Sequence, residues 1–212
     1  MVTHIGLLED DALTRASLSA AFQAMPDVEL VIATRTPGDL IETARSSRLD
    51  VIVCDLHIGA GPTGIEVAHA VRRVAPAVGV VFLTNFEDPR LLDGVSSPLP
   101  SASEYLVKRD VSDLEIIREA IRRALKGAES RVPRSPSKAD RALTDHQLDI
   151  LRLVAQGLSN KEIAKQRHVS EKSVEQTINR LAKSLDLAKT PSANQRVHLA
   201  RAYFRALGVP LP

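Results

Sequence analysis

Over its first 125 residues the chain repeats one arrangement five times: a short, nearly continuous apolar run, then a stretch with helical spacing. The runs are Val2–Leu8, Val28–Ala33, Val51–Cys54, Val78–Leu83 and Glu104–Val107. Apolar runs without polar alternation suit strands buried on both faces, which is the condition of a parallel sheet. Between them Leu13–Met25, Gly38–Ser46 and Gly64–Val74 predict helices, with a weaker one near Pro89–Val95. A last helix, Asp113–Leu125, has Ser112 or Asp113 as its N-cap. Strand–helix alternation predicts an α/β unit whose parallel five-stranded sheet is covered on both faces.

That pattern stops after residue 125. Residues 126–142 hold two prolines and three serines among several bases and read as a flexible linker. From residue 143 to 208 the spacing is helical throughout. Helices are expected at Asp145–Ala155, Asn160–Arg167, Glu171–Leu185 and Ser192–Leu207. A small all-α domain is therefore expected after the linker.

Charge divides the chain at the same place. Net charge is only +2. Yet residues 1–125 carry 12 Lys/Arg against 18 Asp/Glu, and residues 141–212 carry 12 against 6. A basic second half points to a polyanionic partner. With one cysteine, Cys54, an internal disulfide and a cysteine-cluster zinc site are both excluded. No apolar run approaches the ~20 residues of a bilayer crossing, and the first residues lack the basic flank of a signal peptide. The expectation is a cytoplasmic protein without a membrane partner.

In an open parallel sheet, functional residues gather at the carboxyl ends of the strands. Those ends carry Glu9 and Asp10, Asp55, Thr84 and Lys108. Taken singly, each has an ordinary role as a cap, a turn residue, strand packing or a solvated base, and Asp11 is the expected cap of the first helix. Taken together, three carboxylates, a hydroxyl and an ammonium on four strand ends suit a hard divalent cation and a phosphoryl group. Asp55 is then a carboxylate nucleophile toward phosphorus, with Thr84 and Lys108 holding phosphoryl oxygens.

The blocks LLEDD, VCDL, VFLT and YLVK resemble the receiver domain of two-component response regulators over residues 1–125. The resemblance implies a flavodoxin-like (βα)5 fold and phosphorylation of Asp55 by a histidine kinase. It also implies Mg2+ held by Asp10, Asp55 and the backbone carbonyl of His57, supported by Glu9. Thr84 and Tyr105 match the family's switch pair. Two departures stand out. Gly59 replaces a frequent proline after Asp55, and Pro98 and Pro100 would break or shorten the helix expected near Pro89–Val95.

In the basic region Thr144 is the expected N-cap of the first helix, Gly157 ends that helix, and Ser159 caps the second. In the third helix Val174, Ile178, Leu181 and Leu185 form one apolar stripe. Lys172, Gln176, Arg180 and Lys183 fall opposite, with Ser173 and Asn179 beside them. Such side chains can meet base edges and phosphates in the major groove of double-stranded DNA. GLSNKEIA and VSEKSV resemble the LuxR-type helix-turn-helix of the NarL/FixJ subfamily over about residues 140–208. The resemblance implies that the third helix enters DNA and the fourth supports a homodimer formed on activation. Arg167 stands at a usually apolar site, and Glu175 and Thr177 stand where lysine and histidine are frequent.

The sequence therefore predicts a phosphorylation-controlled transcription regulator, with no enzymatic activity beyond phosphoryl chemistry at Asp55. The alternative is an orphan LuxR-type regulator that does not use phosphorylation. A haloacid dehalogenase-type phosphohydrolase needs an aspartate where His57 stands. A dinucleotide enzyme would want glycines where the first strand ends in acids.

Overall fold

The computed structural model describes residues 2–59, 61–92, 98–129, 143–185, 187 and 194–209. The chain divides into two compact units, residues 1–136 and 137–212.

In the first unit five parallel strands, β1 (Thr3–Leu8), β2 (Val28–Thr34), β3 (Val51–Cys54), β4 (Gly79–Thr84) and β5 (Ser103–Val107), stand in the order β2-β1-β3-β4-β5. The pleat sorts each strand's side chains between two cores. Ile5, Leu7, Val51, Val53, Val81 and Leu83 face one side, with Phe22 of α1 (Ala12–Gln23) and Ile117, Ala120, Ile121 and Ala124 of α4 (Leu114–Glu129). Ile52, Cys54, Val80 and Phe82 face the other. There they meet Leu40 of α2 (Pro37–Ser46) and Ile65, Ala68 and Val71 of α3 (Gly64–Val74). Continuous burial of β3 and β4 explains why their sequences are apolar without alternation.

Local chemistry fixes the helix starts. Asp11 accepts from the Thr14 N–H at 2.7 Å and caps α1. Asp113, rather than Ser112, accepts from the Glu115 N–H at 2.7 Å at the head of α4. Thr63 and Glu66 close a capping box on α3.

Two sequence expectations change. Where a helix was expected near Pro89–Val95, a 3-10 turn stands at Pro89–Leu91; residues 93–97 lie outside the described residues. The returning chain is held instead by α3. Arg72 donates to the carbonyls of Val78 (3.2 Å), Ser101 and Ala102 (3.2 Å), and His69 Nε2 lies 2.9 Å from the Pro98 carbonyl. Secondly, α4 runs to Glu129, so residues 126–129 belong to a helix and not to a linker. The rest of the expected linker, 130–142, lies outside the described residues.

At the amino-terminal end of the strands, opposite the acidic site, Asp50 clamps the start of β1. Its Oδ2 accepts from the His4 backbone N–H and lies against the His4 ring nitrogen, both at 2.9 Å, while Oδ1 accepts from Arg48 at 3.0 Å. Partial burial pushes this carboxyl up, but the bonds from His4 and Arg48 outweigh it and hold its pKa below the ordinary value. A depressed carboxyl stabilises the fold above its unfolded pKa and loses that contribution as pH falls through the folded one. Asp50→Ala is expected to cost the first unit about 2 kcal/mol at neutral pH. By calorimetry, that deficit should close as pH drops below the ordinary aspartate range; an unchanged deficit there would reject the assignment.

The second unit has four helices: α5 (Asp145–Ala155), α6 (Asn160–Arg167), α7 (Glu171–Ser184) and α8 (Gln195–Ala206). Leu151, Ile150, Ile163, Val174, Leu181 and Leu199 form its buried centre. Gly157, at φ +87°, lets the chain leave α5 while the Leu158 N–H reaches back to the Leu153 carbonyl. His168, at φ +54°, ends α6 in the left-handed region, and the Val169 N–H bonds to the Ala164 carbonyl at 3.0 Å. Ser170 then caps α7 by accepting from the Ser173 N–H. Arg167 does not enter the core: its guanidinium pairs with Asp149 of α5 at 3.1 Å. Among the described residues no helix is long and apolar enough to cross a membrane.

Candidate phosphoryl site and nucleic-acid interface

The carboxyl ends of β1 and β3 bring Glu9, Asp10 and Asp55 together, with one oxygen of each within 4.8 Å of the others. Asp55 is seated by its backbone, whose N–H donates to the Leu8 carbonyl at 3.0 Å. Asp10 is exposed, whereas Glu9 and Asp55 are buried at 1% and 7% relative exposure. From the end of β5, Lys108 Nζ donates to Glu9 Oε2 and to Asp55 Oδ2, each at 2.7 Å. Two buried carboxylates therefore share one ammonium.

Burial raises the Glu9 pKa and the Lys108 bonds pull against it. For Lys108 burial works downward, but Asp55 and Glu9 overcome it and hold the ammonium above its ordinary pKa. Three carboxylates balanced by one ammonium leave the cluster electronegative. A hard cation with oxygen ligands relieves that charge, so the donor set fits Mg2+.

His57 keeps its side chain in solvent, and its N–H donates to Asp55 Oδ1 at 3.3 Å. Thr84 ends β4 fully buried, and its hydroxyl accepts from the Phe86 N–H at 3.4 Å. Tyr105 turns inward beside Phe82, ring centroids 6.5 Å apart, and its hydroxyl donates to the Phe86 carbonyl at 2.7 Å. Thr84 and Tyr105 thus grip the same residue, one through its N–H and the other through its carbonyl. Burial pushes the Tyr105 phenol pKa far up, so it stays a donor.

One residue of this site escapes a sequence reading based on strand ends. Arg15 of α1 donates to the backbone carbonyls of Glu9 (2.8 Å) and Asp10 (3.1 Å), fixing the acidic turn. Its only signal is a base one helical turn beyond the acids.

On α7, Lys172, Gln176, Asn179, Arg180 and Lys183 are exposed and Ser173 is half-buried. Val174, Ile178 and Leu181 are buried on the other face; Leu185 lies just past the helix and is half-buried. Thr177 is buried too, with its hydroxyl on the Ser173 carbonyl at 3.0 Å. Arg180 lies back along the helix, donating to Thr177 Oγ1 (3.3 Å) and to the Gln176 carbonyl (3.4 Å).

Comparison with known proteins agrees with both halves. Residues 5–110 match the response regulator receiver domain. Residues 141–199 match the bacterial regulatory proteins of the luxR family. The transcriptional regulatory protein LiaR of Bacillus subtilis is 29% identical over 206 residues, covering 91% of this chain and 95% of LiaR. The nitrate/nitrite response regulator protein NarP of Escherichia coli is also 29% identical over 206 residues, covering 90% and 92%. Among solved structures, the two-component response regulator RcsB in its DNA complex matches with a TM-score of 0.59 at 17% identity, covering 98% of this chain and 100% of that one. RcsB of Salmonella typhimurium matches at 0.53 and 17%, covering 94% and 98%. At that identity the likeness is one of fold. The chain therefore belongs to the response regulators that join a receiver domain to a LuxR-family DNA-binding domain.

Proposed function

We propose that this response regulator takes a phosphoryl group on Asp55 from a sensor histidine kinase in the cytoplasm and, as a homodimer, binds double-stranded DNA through α7. The observation that carries the first step is Lys108 Nζ at 2.7 Å from both Glu9 and Asp55, inside a cluster of three carboxylates. An Asp55 oxygen attacks phosphorus as the P–N bond of the phosphohistidine breaks, and the leaving imidazole nitrogen keeps the bonding pair and takes up a proton. Glu9, Asp10, Asp55 and the His57 carbonyl would hold Mg2+, which when bound supplies charge neutralisation at the transferring group. Lys108 and the Thr84 hydroxyl are placed to take phosphoryl oxygens. Tyr105, through Phe86, would follow a movement of Thr84.

For the second unit, Lys172, Ser173, Gln176, Asn179, Arg180 and Lys183 form the face for the major groove and its phosphates. A two-fold dimer reads paired half-sites. One observation favours a second reading, an orphan regulator without phosphorylation: Pro89–Leu91 forms a 3-10 turn where the sequence predicts the start of a helix between β4 and β5.

Acetyl phosphate separates the two. With Mg2+ present, the intact wild-type chain should gain the mass of one phosphoryl group, and Asp55→Asn should gain none. A wild type that gains nothing overturns the phosphorylation reading and leaves the orphan one.

A further inference from the structure

The charges of α7 are not those of a surface that merely attracts a polyanion. Lys172, Arg180 and Lys183 share the exposed face with Glu175, which lies in solvent beyond the first turn of the helix. The other described acids of this unit have evident local roles. Asp149 pairs with Arg167, Glu162 closes the capping box of α6, and Asp145 and Glu171 lie in first turns, where the helix dipole favours them. Glu175 has no hydrogen bond or ion pair among the described residues. At ~100° per residue it lies about 40° from Asn179 and about 60° from Lys172 around the axis. It therefore flanks the centre of the face proposed to meet DNA. Arg180, the nearest long guanidinium in sequence, is drawn to the opposite flank by Thr177 and the Gln176 carbonyl.

A carboxylate there repels the nearby phosphates whatever the base sequence, so against non-specific DNA it only weakens binding. What can compensate is a donor on a base edge, because an ionised carboxylate is acceptor-only. The major groove offers two such donors, the N4 amino group of cytosine and the N6 amino group of adenine. Adenine sets its N7 acceptor beside N6, where a second carboxylate oxygen would be repelled. Cytosine has no acceptor beside N4. We infer that Glu175 is a specificity residue that selects cytosine at one position of each half-site, trading general affinity for discrimination. This rests on the proposed role of α7 as the helix in the major groove.

The test is selection of randomised duplexes by the full chain with acetyl phosphate and Mg2+, followed by binding measurements on the selected sites. Wild type should prefer cytosine at one position by roughly tenfold. Glu175→Ala should flatten that position alone and bind unrelated duplex more tightly. Glu175→Gln, whose amide carries both a donor and an acceptor, should move the preference to adenine. If Glu175→Ala tightens all sequences by the same factor with every base preference intact, the inference is overturned while DNA binding by α7 stands. A chain that selects no duplex at all overturns the DNA reading itself, and this inference with it.

Discussion

Gly64→Ala is expected to destabilise the first unit by about 3 kcal/mol and to slow phosphoryl acceptance at Asp55. A Cβ at position 64 would sit 2.0 Å from the Asp55 carbonyl oxygen, 2.9 Å from its carbon and 2.9 Å from the Cys54 sulfur. The first two are backbone atoms and cannot rotate away. The close approach is built in, since the Gly64 N–H bonds to the Leu56 carbonyl at 2.8 Å as α3 begins. Relief requires moving either α3 or the peptide that aims Asp55 at Lys108. Gly38→Ala in α2 is the control, because a Cβ there meets nothing within 4 Å. That change should stabilise by about 0.5–1 kcal/mol through the unfolded chain. Calorimetry and the rate of mass gain with acetyl phosphate read both variants. Equal effects of the two alanines would mean that the contact between α3 and Asp55 is not a constraint.

This constraint shows where sequence reading stops. The inner strands were legible because double-sided burial makes them apolar runs, and the half-buried edge strands β2 and β5 because apolar residues still dominate them; the observed bounds lie within one residue of those expected. The acids and Lys108 were legible because strand ends are where a parallel sheet exposes chemistry. The glycine that lets α3 touch Asp55, the Arg15 bonds to the acidic turn and the Arg72 latch were not legible. Gly64 and Arg72 depend on distances between elements that no local pattern encodes, and Arg15 on the angle at which α1 leaves the acidic turn. The end of α4 was misplaced for a local reason. Prolines at 133 and 136 suggest an early break, but Lys126, Ala128 and Glu129 are good helix formers and carry the helix on to 129. At Arg167 the usually apolar site was seen, but its solution, an ion pair with Asp149 on a neighbouring helix, needed the tertiary structure.

Lys108→Met carries the other large effect, and it tests whether the acids form one site. In the wild type the ammonium serves Glu9 and Asp55, whose side chains are 2% and 8% exposed. Removing it leaves two carboxylates buried side by side without a counter-charge, which costs about 3 kcal/mol. The same loss makes the cluster more electronegative, so Mg2+ should bind the variant more tightly and return most of that deficit. At about 100 times its dissociation constant a ligand stabilises by ~2.7 kcal/mol. The expected signature is a calorimetric midpoint that rises more with Mg2+ in Lys108→Met than in the wild type. The pH dependence has a definite sign. A lysine with a raised folded pKa contributes stability below its ordinary value and loses it as pH rises through the folded one. The gap between wild type and variant, measured without Mg2+, should therefore be full at neutral pH and close only in strong alkali. A variant as stable as the wild type, and indifferent to Mg2+, would mean that Glu9, Asp10 and Asp55 do not act on a shared cation.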